Sequence, residues 1–210
     1  VFGDAFHAFG APVSWLEVAG FVLALAMVAA NLRVHPLAWP LAMLSSAAYA
    51  VLFHHAGLFG EAGLQVFFIA IAAWGWWQWL RGRGDDGRPL VVRRLPAALA
   101  WRAALATALA WPLLALLLGR FTTSTVPWLD AAATAASVTA QWLLGRKYIA
   151  NWPAWFAINL LSMPLFALKG LWLTVLLYGL FALLSLVGWH AWRRLEGRRD
   201  AASALRPAAA

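Results

Sequence analysis

The side chains in this sequence that could do chemistry are few, and most fall on shared helix faces. Trp152, Trp155 and Asn159 stand at i, i+3 and i+7, on one face of a helix that Ser162 continues. Thr134, Ser137 and Gln141 share a second polar face, Thr174 and Tyr178 stand at i, i+4, and Gln65 interrupts an otherwise apolar run. Two indoles, a phenol and three amides form a set for recognition. They can stack a flat ring, hydrogen-bond a sugar or an amide, and add a cation–π term of about 0.5 to 2 kcal/mol for a positively charged ring.

The same inventory argues against catalysis. Cysteine is absent, which excludes disulfides, thiolate metal sites and cysteine nucleophiles. No H-E-x-x-H motif is present, and no histidine or lysine shares the depth of the serines to act as their base. No enzyme, no metal and no cofactor is therefore expected. The fifteen tryptophans raise one reading of another class, a haem- or porphyrin-handling membrane protein. A bis-histidine site needs two imidazoles facing each other at mid-depth, whereas His7, His35, His54, His55 and His190 all fall in loops or near helix ends. A retinal Schiff base needs a lysine within a helix, but Lys147 and Lys169 stand at the ends of apolar runs.

The elements that must position these residues are read from composition. The chain is 64% hydrophobic with 16 basic and 8 acidic residues, far fewer charges than a soluble domain carries. Apolar runs of about 20 residues recur along it, so a polytopic all-α membrane protein is expected. Apolar length and Pro/Gly punctuation place seven transmembrane helices at 13–32, 36–53, 62–80, 97–118, 128–145, 152–168 and 171–192. In hydrocarbon a buried amide costs about 2 to 7 kcal/mol unless hydrogen-bonded, so Gln65, Gln141 and Asn159 must face protein, water or ligand.

Seven spans put the two ends of the chain on opposite sides. One side receives thirteen of the sixteen basic residues, from Arg33 through Arg81, Arg94 and Lys147 to Arg206, and the other receives Arg120 and Lys169. By the positive-inside bias the C-terminus is expected in the cytoplasm and the N-terminus outside. That bias accounts for the net charge of +8 without any nucleic acid. Residues 1–12 lack Lys, Arg and an apolar stretch of signal-peptide length, so they are expected to form an extracytoplasmic N-terminus with the first helix retained. Residues 81–96 are expected to be a polar cytoplasmic linker, and 195–210 a disordered cytoplasmic tail.

The two halves repeat. Trp15-Leu16-Glu17 matches Trp128-Leu129-Asp130 at an offset of 113, as do Gly57-Leu58 with Gly170-Leu171 and Gly75-Trp76 and Trp79 with Gly188-Trp189 and Trp192. Trp39 matches Trp155 and Ser46 matches Ser162 at 116, which implies two compensating shifts of three residues. The expected plan is 3+1+3: a three-helix repeat over 13–80, a bridging helix over 97–118 that restores parity, and a parallel second repeat over 128–192. In transporters of such plans the substrate lies between the repeats near the midplane. Positions where the halves disagree are then the informative ones, and Thr134, Ser137 and Gln141 stand opposite Phe21, Ala24 and Val28, and Tyr178 opposite Gln65.

Ordinary readings stand beside the functional ones. An aromatic belt accounts for Trp152 and Trp155, which stand near Lys147. Helix–helix hydrogen bonding accounts for Asn159 and Gln65, and bonding within a helix accounts for Thr134 and Ser137. Glu17 and Asp130, related by the repeat, read as helix N-terminal acids or as an outer gate that attracts cations.

The stretches Ser14-Trp-Leu-Glu17, Leu64-Gln65-Val-Phe-Phe68, Gln141-Trp-Leu-Leu-Gly-Arg-Lys147 and Asn151-Trp152-Pro-Ala-Trp155-Phe-Ala-Ile-Asn159, continuing through Thr174 and Tyr178 to Trp192, resemble the PnuC family of bacterial vitamin transporters. The resemblance covers about residues 14 to 194. It implies a PnuC-like, SWEET-like fold in the bacterial inner membrane, assembled as a homotrimer. It also implies facilitated uptake of nicotinamide riboside, which a cytoplasmic kinase traps by phosphorylation. Relatives alike at this level carry thiamine, riboflavin or deoxynucleosides. Binding residues that the resemblance implies are Trp152, Trp155, Asn159, Gln65 and Tyr178; the residue faces add Gln141, Ser137, Thr174 and Trp39. Asn151 departs from the acid that often precedes the first tryptophan in relatives. No span carries an acid near its centre, so facilitated diffusion by alternating access is expected over proton symport.

Overall fold

The computed structural model describes the chain except residues 1–2, 9–10, 56–58, 85–86, 123–125, 169–171 and 205–210. Among the described residues seven α-helices follow one another: α1 Trp15–Leu32, α2 Ala38–His55, α3 Phe59–Arg81, α4 Ala97–Phe121, α5 Pro127–Gly145, α6 Asn151–Leu168 and α7 Trp172–Ala204. By length and composition α1, α4 and the Val175–Arg199 part of α7 can each cross a membrane. Ser14 caps α1, its hydroxyl accepting the Glu17 amide at 3.2 Å, which puts Glu17 at the third helical position rather than at the cap. Pro127 opens α5, where its missing N–H costs nothing.

Helix bounds in the two halves keep one offset. Ala38 and Asn151, His55 and Leu168, and Phe59 and Trp172 begin or end matching helices, and the members of each pair are 113 residues apart. The helix-end geometry repeats as well: Arg33 and Arg146 are C-caps, and the next residues, Val34 and Lys147, take left-handed φ angles of 54° and 57°. This corrects the offset of 116 for α2 and α6. Trp39 corresponds to Trp152, Pro40 to Pro153, Ser46 to Asn159 and Tyr49 to Ser162. The physical sign is that the Trp39 ring covers Gly75 on α3 just as the Trp152 ring covers Gly188 on α7. The pair Gly57-Leu58 and Gly170-Leu171 lies outside the described residues.

The segment before α1 gains detail, and one further expectation changes. Residues Asp4–Ala8 and Ala11–Ser14 form an antiparallel two-stranded hairpin, so the segment before α1 has secondary structure of its own. The disorder expected from residue 195 is replaced by helix as far as Ala204. Its physical reason is Glu196, which is buried and accepts a 2.9 Å bond from Arg94 in the linker. The tail beyond Ala204 lies outside the described residues.

Packing closes six helices into a ring: α1 on α2, α2 on α3, α3 on α5, α5 on α6, α6 on α7 and α7 on α1, with α4 outside against α5. Most of α4 is bare apolar surface, including Trp101, Leu109 and Leu116, as suits a helix facing lipid. The densest core lies at the end of the bundle that carries the arginines, called here the basic end. Trp39, Trp79, Trp152 and Trp192 pack there with Ala72, Leu144 and Ile149. The α3–α4 linker is laid across this end as a strap. Arg93 exchanges backbone bonds with Lys147 and Ile149 at 3.1 and 3.0 Å, and Lys147 Nζ donates to the Leu90 carbonyl at 3.0 Å.

Candidate functional site

Every candidate helix lies in the six-helix ring. Going round it, α3 supplies Gln65, α5 supplies Ser137 and Gln141, α6 supplies Trp155 and Asn159, α7 supplies Tyr178, and α1 supplies Glu17. Depth follows from the helical rise of about 1.5 Å per residue. With Trp152 at the start of α6, Asn159 lies about 10 Å and Ser162 about 15 Å further along it. The last two are buried, as are Ser137 and Gln141 across the α5–α6 contact. Trp155, Gln65 and Tyr178 are partly buried. The side chain of Thr174 lies outside the described ones.

Trp152 and Trp39 are placed differently from the others. Both are almost fully enclosed at the basic end, at 4% and 1% exposure, and neither indole N–H has a hydrogen-bond partner among the described residues. Trp152 packs edge-on against Trp192 at 5.6 Å and Trp39 edge-on against Trp79 at 5.5 Å. Asn151, the departure from the family pattern, is wholly buried and donates to the Tyr148 carbonyl at 2.7 Å, closing the turn into α6.

The 113 register changes which positions break the symmetry. Trp155 stands opposite Ala42 and Asn159 opposite Ser46, whereas Trp152 has an equal in Trp39. The asymmetric polar set is therefore Thr134, Ser137, Gln141, Trp155, Asn159 and Tyr178. One residue that the sequence reading missed belongs with it. Tyr49 on α2, opposite Ser162, lays its ring on Gly20 of α1 and lies within electrostatic reach of Glu17 and Tyr178. A phenol in the middle of an apolar helix was the available signal.

At the basic end Lys147 stands in the α5–α6 turn with its ammonium 5.0 Å from the Trp79 ring centre. Burial lowers its pKa from the ordinary lysine value. Arg93 lies over the Tyr148 ring at 4.7 Å. These cations hold the strap on the aromatic core.

Arranged this way, the ring carries amide, hydroxyl and aromatic residues on neighbouring helices. The family model that matches residues 14–194 is that of the nicotinamide mononucleotide transporter. The chain belongs to this family. Its relatives include the riboflavin/roseoflavin transporter RibM of Streptomyces davaonensis, 30% identical over 99% of this chain and 97% of that one. The nicotinamide riboside transporter PnuC of Escherichia coli is 26% identical over 87% of each chain. A crystal structure of the vitamin B3 transporter PnuC matches the fold with a TM-score of 0.72 at 20% identity, covering 88% of this chain and 83% of that one. Family membership and the apolar helices together make this a multi-pass membrane protein.

Proposed function

We propose that the chain is a PnuC-like transporter that takes up nicotinamide riboside across the bacterial inner membrane by facilitated diffusion. Asn159 is the observation that carries this reading. It is a buried amide about halfway along α6, where the other half of the chain has a serine, and hydrocarbon depth demands a partner for it. Trp155, one turn before it, stacks the pyridinium ring, with Gln141, Ser137, Gln65, Tyr178 and Thr174 bonding the amide and ribose. Trp39 and Trp152 form the floor of the site. Glu17 and Asp130 stand at the far end, where they attract the cation.

The structural plan of the proposal is 3+1+3, two parallel three-helix units joined by α4. The constant offset of helix bounds supports it, and the units rock about a pseudo-twofold axis to expose the site to each side in turn. The basic end is cytoplasmic and the N-terminus lies outside. A cytoplasmic kinase retains the substrate by phosphorylation, and the protein assembles as a homotrimer.

Riboflavin is the second reading, favoured by the 30% identity with a riboflavin/roseoflavin transporter over nearly the whole of both chains. Binding of nicotinamide riboside, riboflavin, thiamine and deoxynucleosides to the purified protein separates them. The reading requires nicotinamide riboside to bind at least about tenfold more tightly than riboflavin, a difference of about 1.4 kcal/mol. The reverse order assigns riboflavin instead.

A further inference from the structure

The four indoles at the basic end form a row in the order Trp39, Trp79, Trp192, Trp152, with ring centroids 5.5, 6.2 and 5.6 Å apart and both outer contacts edge-on at 86°. The row reads alike from either end. At its centre, Trp79 of α3 donates its indole N–H to the Leu144 carbonyl at the end of α5, at 3.0 Å. Trp192 of α7 donates to the Asn31 carbonyl at the end of α1, also at 3.0 Å. Residues 79 and 192, like 31 and 144, are 113 apart, so each half of the chain sends one indole across to the other half.

Separating α3 from α5 breaks one bond, and separating α7 from α1 breaks the other. These bonds are well suited to being broken. Their acceptors are carbonyls in the last turns of helices that also accept a backbone N–H at 3.0 Å, from Val34 for Asn31 and from Lys147 for Leu144, so neither is left bare when the indole leaves, and water can take the vacated place. The outer indoles push the same way. Trp39 and Trp152 keep their N–H groups buried without a partner among the described residues, so closure leaves two donors unsatisfied that water would satisfy on opening. Packing favours the closed row and the two unpartnered indole donors favour an open one, an opposition that suits a gate.

The strap adds an asymmetric tie. It continues from α3, pairs with the α5–α6 turn, and is held by α7 through the Arg94–Glu196 pair at 2.9 Å and the bond from Arg199 to the Val92 carbonyl at 3.1 Å.

We propose that the crossed Trp79 and Trp192 pair is the gate at the basic end of the translocation path, with Trp39 and Trp152 as its outer leaves and the strap as its latch. The inference rests on the transport reading, so its test uses no substrate. The chain has no cysteine, and Ala140 on α5, one turn inward from Leu144, is fully buried. An Ala140→Cys reporter is labelled with a membrane-impermeant maleimide from either face of oriented vesicles. The expected result is slow labelling in the parent. Trp79→Phe with Trp192→Phe, which keeps rings and removes both donors, should speed labelling from the basic face about fivefold or more and leave the other face unchanged. Should the double variant not fold, as judged by its melting curve, each single variant must show the same one-sided increase, and Glu196→Gln must show a smaller one. Unchanged rates, or equal acceleration from both faces, would overturn the gate. A protein that labels as expected yet carries no vitamin leaves the gate standing and removes only the substrate reading.

Discussion

Asn159 and Trp155 divide the binding work differently, and their variants should show it. Replacing Asn159 by Ala removes a buried amide and should weaken nicotinamide riboside binding about tenfold or more, a loss of about 1 to 3 kcal/mol, with little change in melting temperature. Trp155→Phe should retain part of the stacking and Trp155→Ala lose most of it, a graded series readable by titration calorimetry. Trp152→Ala should behave in the opposite way, lowering stability by about 3 to 5 kcal/mol because the ring fills the space between Gly188 and Trp192. Equal binding losses with equal melting shifts at 152 and 155 would contradict this division. Trp155 and Asn159, one turn apart on α6, were legible as candidates from spacing alone. Tyr49 was not, because its neighbours in sequence are apolar and only the fold brings Glu17 and Tyr178 near it.

At the scale of elements, apolar length and Pro/Gly punctuation located all seven helices to within a few residues at nearly every end. The end of α7 was the exception, since what stabilises it is a pairing between Arg94 and Glu196, 102 residues apart, which no local pattern encodes. The register of α2 against α6 was misread by matching Trp39 to the wrong tryptophan. The dipeptides Trp39-Pro40 and Trp152-Pro153 carried the right match, and the shared glycine contact explains why a tryptophan is placed in both halves. That contact makes a paired prediction. A Cβ at Gly75 would overlap the Trp39 ring and one at Gly188 the Trp152 ring, so Gly75→Ala and Gly188→Ala should each destabilise the protein by about 1 to 3 kcal/mol, seen as a lower melting temperature in detergent. Gly63→Ala, with open space around it, should melt like the parent.

For the whole molecule, the charge distribution predicts sidedness. A single cysteine introduced at the exposed Ala202 should react with an impermeant thiol reagent only in inverted vesicles, and one at the exposed Gly3 only in right-side-out cells. The reverse pattern would turn the proposed direction of uptake around. Transport itself is most directly tested by uptake of labelled nicotinamide riboside into proteoliposomes that contain no kinase. The proposed mechanism predicts a rise to the outside concentration and no further, with or without a pH gradient, and entry reduced at least about tenfold by Asn159→Ala. Accumulation above the outside concentration under a pH gradient would contradict facilitated diffusion, and entry no faster than into protein-free liposomes would contradict nicotinamide riboside as the substrate.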